Sequence, residues 1–402
     1  MAEKIVVTAQ GIITALGHGV DANLQALRLS RSGLRFATHL QTIHSAEFVL
    51  GEVDMSNDAL AAMLGLQMGD NGYTRTALLA LAAVHELLEN VPRSLLADDS
   101  FAFINANTVG GMCSVEDMYL DFLSPEQDGY FKKYIDTLDC AASTLHVTSH
   151  FGLKPLSTTI STACSSSANA LILGARMIQH GIVDRAICGG CDALSRFTLN
   201  GFHSLKNVDK APCRPFDQHR FGLNLGEGAG YVLLERESDA KARGANIIAT
   251  LSGYSNTNDA YHPTAPSPDG SGAARTIQYA LDMAGVQANE VGYINAHGTA
   301  TQNNDSAEGK AIQQLFGADA CFSSTKPFTG HTLAAAGVVE AIFSMMALTY
   351  GIAIPNLNHE VPMEELQITP VKALQENLKL QHVLSNSFGF GGSNVSLIFS
   401  KL

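Results

Sequence analysis

The stretch Ser161-Thr162-Ala163-Cys164-Ser165-Ser166-Ser167 separates a short β-branched run from a long apolar one. Residues 155–160 before it predict a strand, because β-branched side chains are frequent there. Residues 168–178 after it are apolar on almost every side, which predicts a buried helix that ends at His180-Gly181. We therefore expect Cys164 where a strand turns into the N-terminal end of a helix.

A thiol at such a turn meets free backbone N–H groups and the positive end of the helix dipole. We expect both to favour the thiolate of Cys164, and the same N–H groups are suited to holding an oxyanion. The alternative is that Cys164 is a small buried hydrophobic residue, as many free cysteines are. The hydroxyl run of residues 165–167 argues against this alternative, because polar residues are an unusual opening for a core helix.

The composition disfavours several classes of function. Among 402 residues, 25 Lys and Arg face 38 Asp and Glu, and the net charge of −13 disfavours nucleic acid or an anionic membrane as the main partner. Seven cysteines at scattered spacings argue against a disulfide framework, which favours a reducing cytoplasm. We expect no signal peptide, and no apolar run of the roughly 18 residues that a membrane span needs.

Strand and helix patterns alternate along the chain, which predicts an α/β protein with largely parallel pairing. The predicted strands are residues 5–8, 101–104, 155–160, 185–188, 228–235, 246–254, 291–295 and 395–399. The predicted helices are residues 20–29, 73–88, 168–178, 269–284 and 337–349. Residues 11–19 read as a glycine-rich turn.

The two halves of the chain resemble each other. In the first half a strand leads to Cys164 and a buried helix, and in the second half residues 321–324 lead through His331 to another buried helix. We expect two domains that share one core, residues 1–245 with the cysteine and residues 246–402 with the histidines. A pseudo-twofold arrangement would bring their helix ends together.

The run Asn295-Ala296-His297-Gly298-Thr299-Ala300-Thr301 directly follows a predicted strand. His297 is therefore expected at the edge of the sheet where α/β sites gather. Gly298 allows a close approach of the backbone, and the two threonines give the run a site-like composition. The alternative is a structural histidine.

A second histidine motif contains Lys326 and His331. Glu340 follows on a predicted buried helix, where a carboxylate needs a partner, and Lys326 is the obvious one. The alternative is a structural ion pair beside a surface histidine.

Residues 386–394 read Asn-Ser-Phe-Gly-Phe-Gly-Gly-Ser-Asn. Alternating glycine and phenylalanine give a movable backbone around aromatic anchors, which suits a gate. The alternative is a tight turn before an edge strand. By contrast, Cys188-Gly189-Gly190-Cys191 follows a predicted buried strand and has no second pair at zinc-site spacing, so we interpret it as packing.

These four motifs, in this order and across essentially the whole chain, are similar to those of the β-ketoacyl-acyl-carrier-protein synthases. These are elongating condensing enzymes of the thiolase superfamily, and the resemblance implies a thiolase-like α/β fold with two similar halves in α-β-α-β-α layers. It implies that Cys164 takes up an acyl group, that malonyl-carrier loses CO2, and that the carbanion attacks the acyl group to give a 3-oxoacyl product. No metal and no dissociable cofactor are required, since phosphopantetheine arrives on the acyl carrier protein.

The resemblance also implies roles for individual residues. The catalytic set comprises a thiol, two imidazoles and a buried ion pair: Cys164, His297, His331, Lys326 and Glu340. Two neutral imidazoles would donate hydrogen bonds to the enolate oxygen, and Lys326 would orient His331. The N–H groups of Cys164 and Phe390 would hold the oxyanion. Phe390 would be the gate, and Thr299 and Thr301 would hydrogen-bond the phosphopantetheine arm. The acyl pocket would be lined by Val109 and Phe202, and Lys206 would help to dock the carrier.

Residues 304–305 read Asn-Asp where Gly-Asp often follows in this family. This tail and residues 222–228 are most similar to synthases of bacterial aryl-polyene or flexirubin-type pathways. The family also implies a homodimer, or a heterodimer with a related ketosynthase-like subunit.

Other functions stay open. A non-catalytic partner subunit of the chain-length-factor kind typically lacks the nucleophile, which is present here as Cys164. A thiolase using coenzyme A would want a second cysteine near the last motif, where this chain has Phe388 and Phe390. A cysteine hydrolase would need only a Cys-His pair, whereas the motifs of this chain offer two histidines and a lysine.

Overall fold

The computed structural model describes residues 3–66, 72–97, 100–116, 118–126 and 129–402 of the chain. The strands are β1 (Ile5–Thr14), β2 (Gly17–His18), β3 (Arg35–Phe36), β4 (Val49–Leu50), β5 (Phe101–Ala106), β6 (Leu156–Ile160), β7 (Arg185–Asp192), β8 (Gly228–Arg236), β9 (Ala249–Asn258), β10 (Val291–Asn295), β11 (Phe322–Ser323), β12 (His382–Phe388) and β13 (Ser393–Ser400). The α-helices are α1 (Val20–Arg28), α2 (Asn57–Met63), α3 (Arg75–Glu89), α4 (Met112–Val115), α5 (Met118–Leu123), α6 (Ala141–His150), α7 (Ser166–Gln179), α8 (Arg196–Ser204), α9 (Glu237–Ala242), α10 (Ser271–Ala284), α11 (Gln302–Phe316), α12 (Lys326–Thr329) and α13 (Ala336–Tyr350). Short 3-10 turns are Arg93–Leu96, Tyr130–Leu138, Ala288–Glu290, Leu333–Ala335 and Phe390–Gly392.

One continuous sheet runs through the protein in the order β11-β10-β12-β13-β9-β1-β8-β7-β5-β6, with β2 beside β1. From β1 outward the pairing is antiparallel through β8 to β7 and then parallel through β5 to β6. From β9 outward it is antiparallel through β13 to β12 and then parallel through β10 to β11. The same five-strand pattern therefore occurs twice. The predicted largely parallel pairing is wrong, because the strands nearest the middle of the sheet are antiparallel.

The repeat is also visible in the residues that end equivalent strands. Residues 104–107 at the end of β5 read Ile-Asn-Ala-Asn, and residues 294–297 at the end of β10 read Ile-Asn-Ala-His. Cys164 follows β6, and His331 follows β11 after the short helix α12. The chemistry-bearing side chains of both halves therefore lie beyond the carboxyl ends of parallel strands.

Two helices lie between the halves of the sheet. Helix α7 packs on β5, β7 and β8 of the first pattern and on β13 of the second, and α13 packs on β12 and β10 but also on β8. Helix α3 covers the other face of β1 and β8, and α10 covers β9 and β13. These are the predicted α-β-α-β-α layers. A Cβ on Gly337 would lie 2.7 Å from the backbone nitrogen of Ala168, so α13 and α7 touch without room for a side chain there.

Two local expectations differ from the structure, and some elements were not expected. Residues 11–14 continue β1 instead of turning. Gly11 serves the packing of α3 on this strand, because a Cβ there would lie 2.0 Å from the carbonyl oxygen of Ala83. Strand β7 continues through Gly189-Gly190 to Asp192. Helix α11 and strand β12 were not predicted. Cys188 and Cys191 are both buried within β7 on opposite faces, which agrees with a packing role.

One stretch is long and apolar enough to cross a membrane, contrary to expectation. It is Leu333–Tyr350, an 18-residue stretch of which 89% is buried inside the protein. It contains the buried Glu340, which is ion-paired with Lys326. This stretch is a core helix of the fold.

Candidate active site

Cys164 lies in the sharp turn between β6 and α7 and is 6% exposed. Ala163 before it has a φ of 52°, a left-handed conformation that costs energy for a residue with a side chain. Ser166 Oγ accepts the N–H of Thr162 at 2.8 Å and donates to the carbonyl of Ala163 at 2.5 Å. The hydroxyl run after the cysteine therefore holds the strained turn that presents the thiol.

The backbone N–H groups of Cys164 and Phe390 act to lower the pKa of the thiol. A Cβ on Gly389 would lie 3.3 Å from the backbone nitrogen of Cys164, tighter than an ordinary contact, so a glycine helps this loop to come close. Burial nevertheless raises the pKa of the Cys164 thiol to about 11, although Lys326 and both N–H groups act to lower it. The predicted preference for a thiolate is wrong for the resting protein, because desolvation outweighs the helix end.

His297 lies two residues after the end of β10 and is 1% exposed. Glu308 on α11 accepts the N–H of His297 with one carboxylate oxygen and the N–H of Gly298 with the other, both at 2.8 Å. The Nζ atom of Lys326 lies 3.3 Å from Nδ1 of His297 and donates to its carbonyl oxygen at 2.5 Å. Because an ammonium group can only donate, Nδ1 accepts, and we infer that the proton of the neutral ring is on Nε2.

His331 is held by its backbone and by its own ring. Its N–H donates to the carbonyl of Asn224 at 2.8 Å, and its carbonyl accepts the N–H of Gly226 at 2.9 Å. The N–H of Leu333 donates to Nδ1 of His331 at 3.3 Å, so this ring also carries its proton on Nε2. That Nε2 is buried and has no hydrogen-bond partner in the described part of the chain. It is available to a ligand.

The expected ion pair between Lys326 and Glu340 is formed. The Nζ and Oε1 atoms are 2.5 Å apart, and the two side chains are 1% and 4% exposed. Lys326 contacts His297 and not His331, whose Nδ1 is occupied by Leu333, so the expected orientation of His331 by Lys326 is wrong. Burial raises the pKa of Glu340 to about 7, while Lys326 acts to lower it.

The thiol and the two imidazoles converge on one small volume. One ligand atom from each of Cys164, His297 and His331 lies within 4.8 Å of the others, and the two rings meet edge to face with centroids 5.4 Å apart. Burial holds the pKa of both imidazoles well below its usual value, and Lys326 lowers both further. The rings are therefore neutral at pH 7. A Cys-His-His trio has the ligand types of a zinc site, but the Lys326 ammonium beside it opposes a dication.

A narrow cleft borders this cluster. Thr299 and Thr301 line it together with the three residues of the cluster, and their Oγ1 atoms are 2.8 Å apart. The structure thus places both predicted phosphopantetheine contacts beside the histidines.

An apolar cavity of about 450 Å³ also reaches Cys164. Its lining includes Val109, Phe197, Phe202, Leu205, Leu333 and Phe390. The rings of Phe202 and Phe390 stack at 5.6 Å between centroids, and both residues line the cleft as well as the cavity. The stacked pair therefore borders both spaces where they meet at the thiol. Lys206 is exposed just after α8, next to Leu205.

Three buried carboxylates at this site were not predicted: Asp192, Asp305 and Glu308. Asp305 accepts the N–H of Ala300 at 3.1 Å and shapes the turn after His297. A signal existed for two of them, because Asp305 and Glu308 are three residues apart and share one helix face. Asp192, at the end of a strand, had no such signal.

Known proteins resemble this chain over its whole length. Residues 2–240 match the family model of the β-ketoacyl synthase N-terminal domain, and residues 248–360 match that of the C-terminal domain. A 3-oxoacyl-[acyl-carrier-protein] synthase 2 of Synechocystis is 34% identical over 414 residues, which cover 99% of this chain and 98% of that protein.

Two solved structures are similar in fold and sequence. The ishigamide ketosynthase/chain length factor has a TM-score of 0.92 and 30% identity, and the match covers 100% of both chains. A chain of the complex between the ketosynthase ApeO and its chain length factor ApeC from Xenorhabdus doucetiae has a TM-score of 0.85 and 33% identity. That match covers 100% of this chain and 98% of the other.

Proposed function

The chain belongs to the β-ketoacyl synthase family, which confirms the predicted family and fold, and we propose that it works through Cys164, His297 and His331. It is a 3-oxoacyl-[acyl-carrier-protein] synthase, an acyltransferase that condenses an acyl group with a malonyl unit. One observation carries the assignment of residues. The thiol and two neutral imidazoles converge where a cleft and an apolar cavity meet.

In the first step Cys164 attacks the carbonyl carbon of an acyl-carrier thioester. The new bond is the thioester on Cys164, the broken bond releases the carrier thiol, and the proton of Cys164 ends on that leaving thiol. The N–H groups of Cys164 and Phe390 act to lower the pKa of the thiol, and we propose them as the donors to the oxygen of the tetrahedral intermediate. Because the resting thiol is protonated, the acyl donor reacts with a nucleophile that is generated only during the step.

In the second step malonyl-carrier loses CO2 and becomes an enolate. The Nε2–H groups of His297 and His331 donate hydrogen bonds to the enolate oxygen, and neutral rings can share that oxygen without repelling each other. The Lys326 ammonium at Nδ1 of His297 strengthens that ring as a donor. The site is buried, so each hydrogen bond acts in a low dielectric.

In the third step the α-carbon of the enolate attacks the acyl carbonyl on Cys164. A carbon–carbon bond forms, the thioester on Cys164 breaks, and the 3-oxoacyl product leaves on the carrier. The released thiolate of Cys164 takes up one proton from solvent, which restores the resting thiol. Glu340 holds Lys326 in place within the core through their ion pair.

The residues that line the cleft and the apolar cavity indicate where phosphopantetheine and the acyl chain bind. The paired hydroxyls of Thr299 and Thr301 offer hydrogen bonds to the amides of phosphopantetheine in the cleft. Val109 and Phe202 border the cavity for the acyl chain, and rotation of Phe390 out of its stack with Phe202 would join the two spaces.

The partners and setting remain parts of the proposal. The acyl carrier protein brings phosphopantetheine, so no dissociable cofactor and no metal take part, and the exposed Lys206 contributes to docking. The solved relatives contain a chain length factor, which favours a dimer with a like or related subunit. We place the enzyme in the cytoplasm and in fatty acid, polyketide or aryl-polyene elongation, the last on its motif resemblance. We also propose two domains, residues 1–245 and 246–402.

The deciding experiment is intact-protein mass spectrometry. The protein is incubated with a panel of acyl-carrier thioesters, and malonyl-carrier is then added. We expect an adduct on Cys164 that malonyl-carrier discharges to a 3-oxoacyl product, none on Cys164→Ala, and a normal adduct on Cys321→Ala as the matched thiol control. No adduct from any donor would favour a non-catalytic partner subunit. A persisting adduct on Cys164→Ala would overturn the assignment of the nucleophile.

A further inference from the structure

Asp192 is a fully buried carboxylate at the end of β7 that the mechanism does not use. Its Oδ1 atom accepts the Asn107 side-chain amide at 2.9 Å and the backbone N–H groups of Thr108 at 3.1 Å and Val109 at 3.3 Å. Its Oδ2 atom accepts the Thr108 hydroxyl at 2.5 Å and the backbone N–H of Ala334 at 2.8 Å. Five neutral donors therefore converge on one buried charge.

The two segments that Asp192 holds both line the apolar cavity. Thr108 and Val109 line the apolar cavity from the first half of the chain, and Leu333 lines it from the second. Leu333 has a φ of 54°, and its N–H holds Nδ1 of His331. The next N–H along the chain is the one that Asp192 accepts. One carboxylate thus joins the cavity wall to the segment that fixes His331.

Burying the Asp192 carboxylate costs desolvation free energy. Burial raises the pKa of Asp192 to about 6, and among the described residues its hydrogen-bond donors include no ammonium or guanidinium group. An apolar residue at this position would leave buried N–H groups without partners.

We propose that Asp192 is a positioning residue that sets the shape of the acyl cavity and the placement of His331. This inference rests on the proposed function, because it assumes that the cavity holds the acyl chain.

The variant Asp192→Asn tests the inference sharply. With the amide oxygen at the Oδ1 position, the donors of residues 107–109 keep their acceptor, and the Thr108 hydroxyl can turn to accept from the amide. The N–H of Ala334 then faces an NH2 group. The opposite orientation of the amide would place its NH2 group against the three donors that Oδ1 accepts in Asp192. The orientation with the oxygen toward those donors is therefore favoured. The variant should release Ala334 and leave residues 107–109 in place.

Three rates are measured: acylation of Cys164 by acetyl-carrier, acylation by octanoyl-carrier, and release of CO2 from malonyl-carrier by the unacylated enzyme. For Asp192→Asn we expect acetyl loading within about twofold of the unaltered protein. Octanoyl loading and CO2 release should each fall about tenfold, as for one lost hydrogen bond to a charged group. Asp184→Asn is the matched control, the same change just before the other end of β7, where Asp184 pairs with Arg236 near the surface.

If Asp192→Asn does not fold, Thr108→Val against Thr108→Ser decides, because only the valine removes the hydroxyl that Oδ2 accepts. The valine should lower octanoyl loading relative to acetyl loading, and the serine should restore it. Equal ratios of octanoyl to acetyl loading in the two Thr108 variants would overturn the inference. So would an Asp192→Asn protein that matches Asp184→Asn in octanoyl loading and in CO2 release. Absence of acylation in the unaltered protein would instead overturn the proposed function.

Discussion

Nδ1 of His331 accepts the backbone N–H of Leu333 at 3.3 Å, and this contact fixes the ring proton on Nε2. A glutamine at position 331 can place an NH2 group near Nε2, whereas an asparagine reaches only to Nδ1. We expect His331→Asn to lose about 10²- to 10³-fold in malonyl decarboxylation and His331→Gln to lose clearly less. Both should still acylate Cys164. CO2 release measures the difference, and equal losses would contradict a donor role for Nε2.

The low pKa values of His297 and His331 predict that neither ring titrates near neutrality. In NMR of histidine-labelled protein, their Cε1 signals should stay constant between pH 6 and 8, where a free imidazole titrates at about 6.5. Single His→Gln variants assign the signals. Below about pH 6.5 the unfolded chain takes up protons on these histidines and the folded chain does not, so they lower stability as pH falls. A titration of either signal near pH 6.5 would refute buried neutral rings.

The raised pKa of Cys164 predicts slow alkylation at neutral pH. Its rate of reaction with iodoacetamide, followed by peptide mass spectrometry, should keep rising from pH 7 to 10. Lys326→Met should shift the profile to higher pH, because Lys326 acts to lower the pKa of the thiol. A plateau near pH 7 would mean that the thiolate is already formed in the resting enzyme.

The ion pair of Lys326 and Glu340 predicts a separation of stability from activity. Lys326→Met leaves a buried carboxylate without its cation and should cost about 3–5 kcal/mol in urea unfolding. Lys326→Met/Glu340→Gln should recover most of that stability but not the decarboxylation rate, since His297 still lacks its Nδ1 donor. Lys241→Met, which breaks an exposed pair with Glu237, is the control and should cost less than about 1 kcal/mol. Recovery of activity in the double variant would show that the pair is only structural.

The exposed position of Lys206 predicts weaker carrier binding by Lys206→Glu. We expect up to about tenfold lower affinity at low salt and a smaller effect at high salt. Lys210→Glu is a matched control four residues away, because Lys210 is already paired with Glu47 at 2.8 Å. Similar affinities for the two variants would place the docking surface elsewhere.

Local patterns were sufficient where one strong preference acts alone. The β-branched run before Cys164 became β6, and the apolar run after it became α7. The motifs around His297 and His331 were found because glycine and hydroxyl residues follow strands there. Helix α11 was missed because its first residues, 302–306, are polar and its buried acids look like a solvated face.

Other features depend on contacts that no local pattern encodes. The thiol of Cys164 was expected to ionise easily from its helix end, yet the depth of burial decides its pKa, and burial is a property of the whole fold. Lys326 was assigned to His331, its neighbour in sequence, but parallel pairing of β10 with β11 brings it to His297. Sequence distance was a poor guide to which histidine it meets.

The contact between Gly337 and Ala168 gives this enzyme a fragile point. The nucleophile precedes α7 and His331 precedes α13, so reacting groups stand on two sides of a seam too tight for one methyl group. Slight loosening of the contact between α7 and α13 would separate Cys164 from His331 while the hydrogen bonds between the strands stay intact. On heating, we therefore expect the turnover rate to fall at a lower temperature than the circular dichroism signal of the helices and strands. A sample with an unchanged spectrum can then already lack activity.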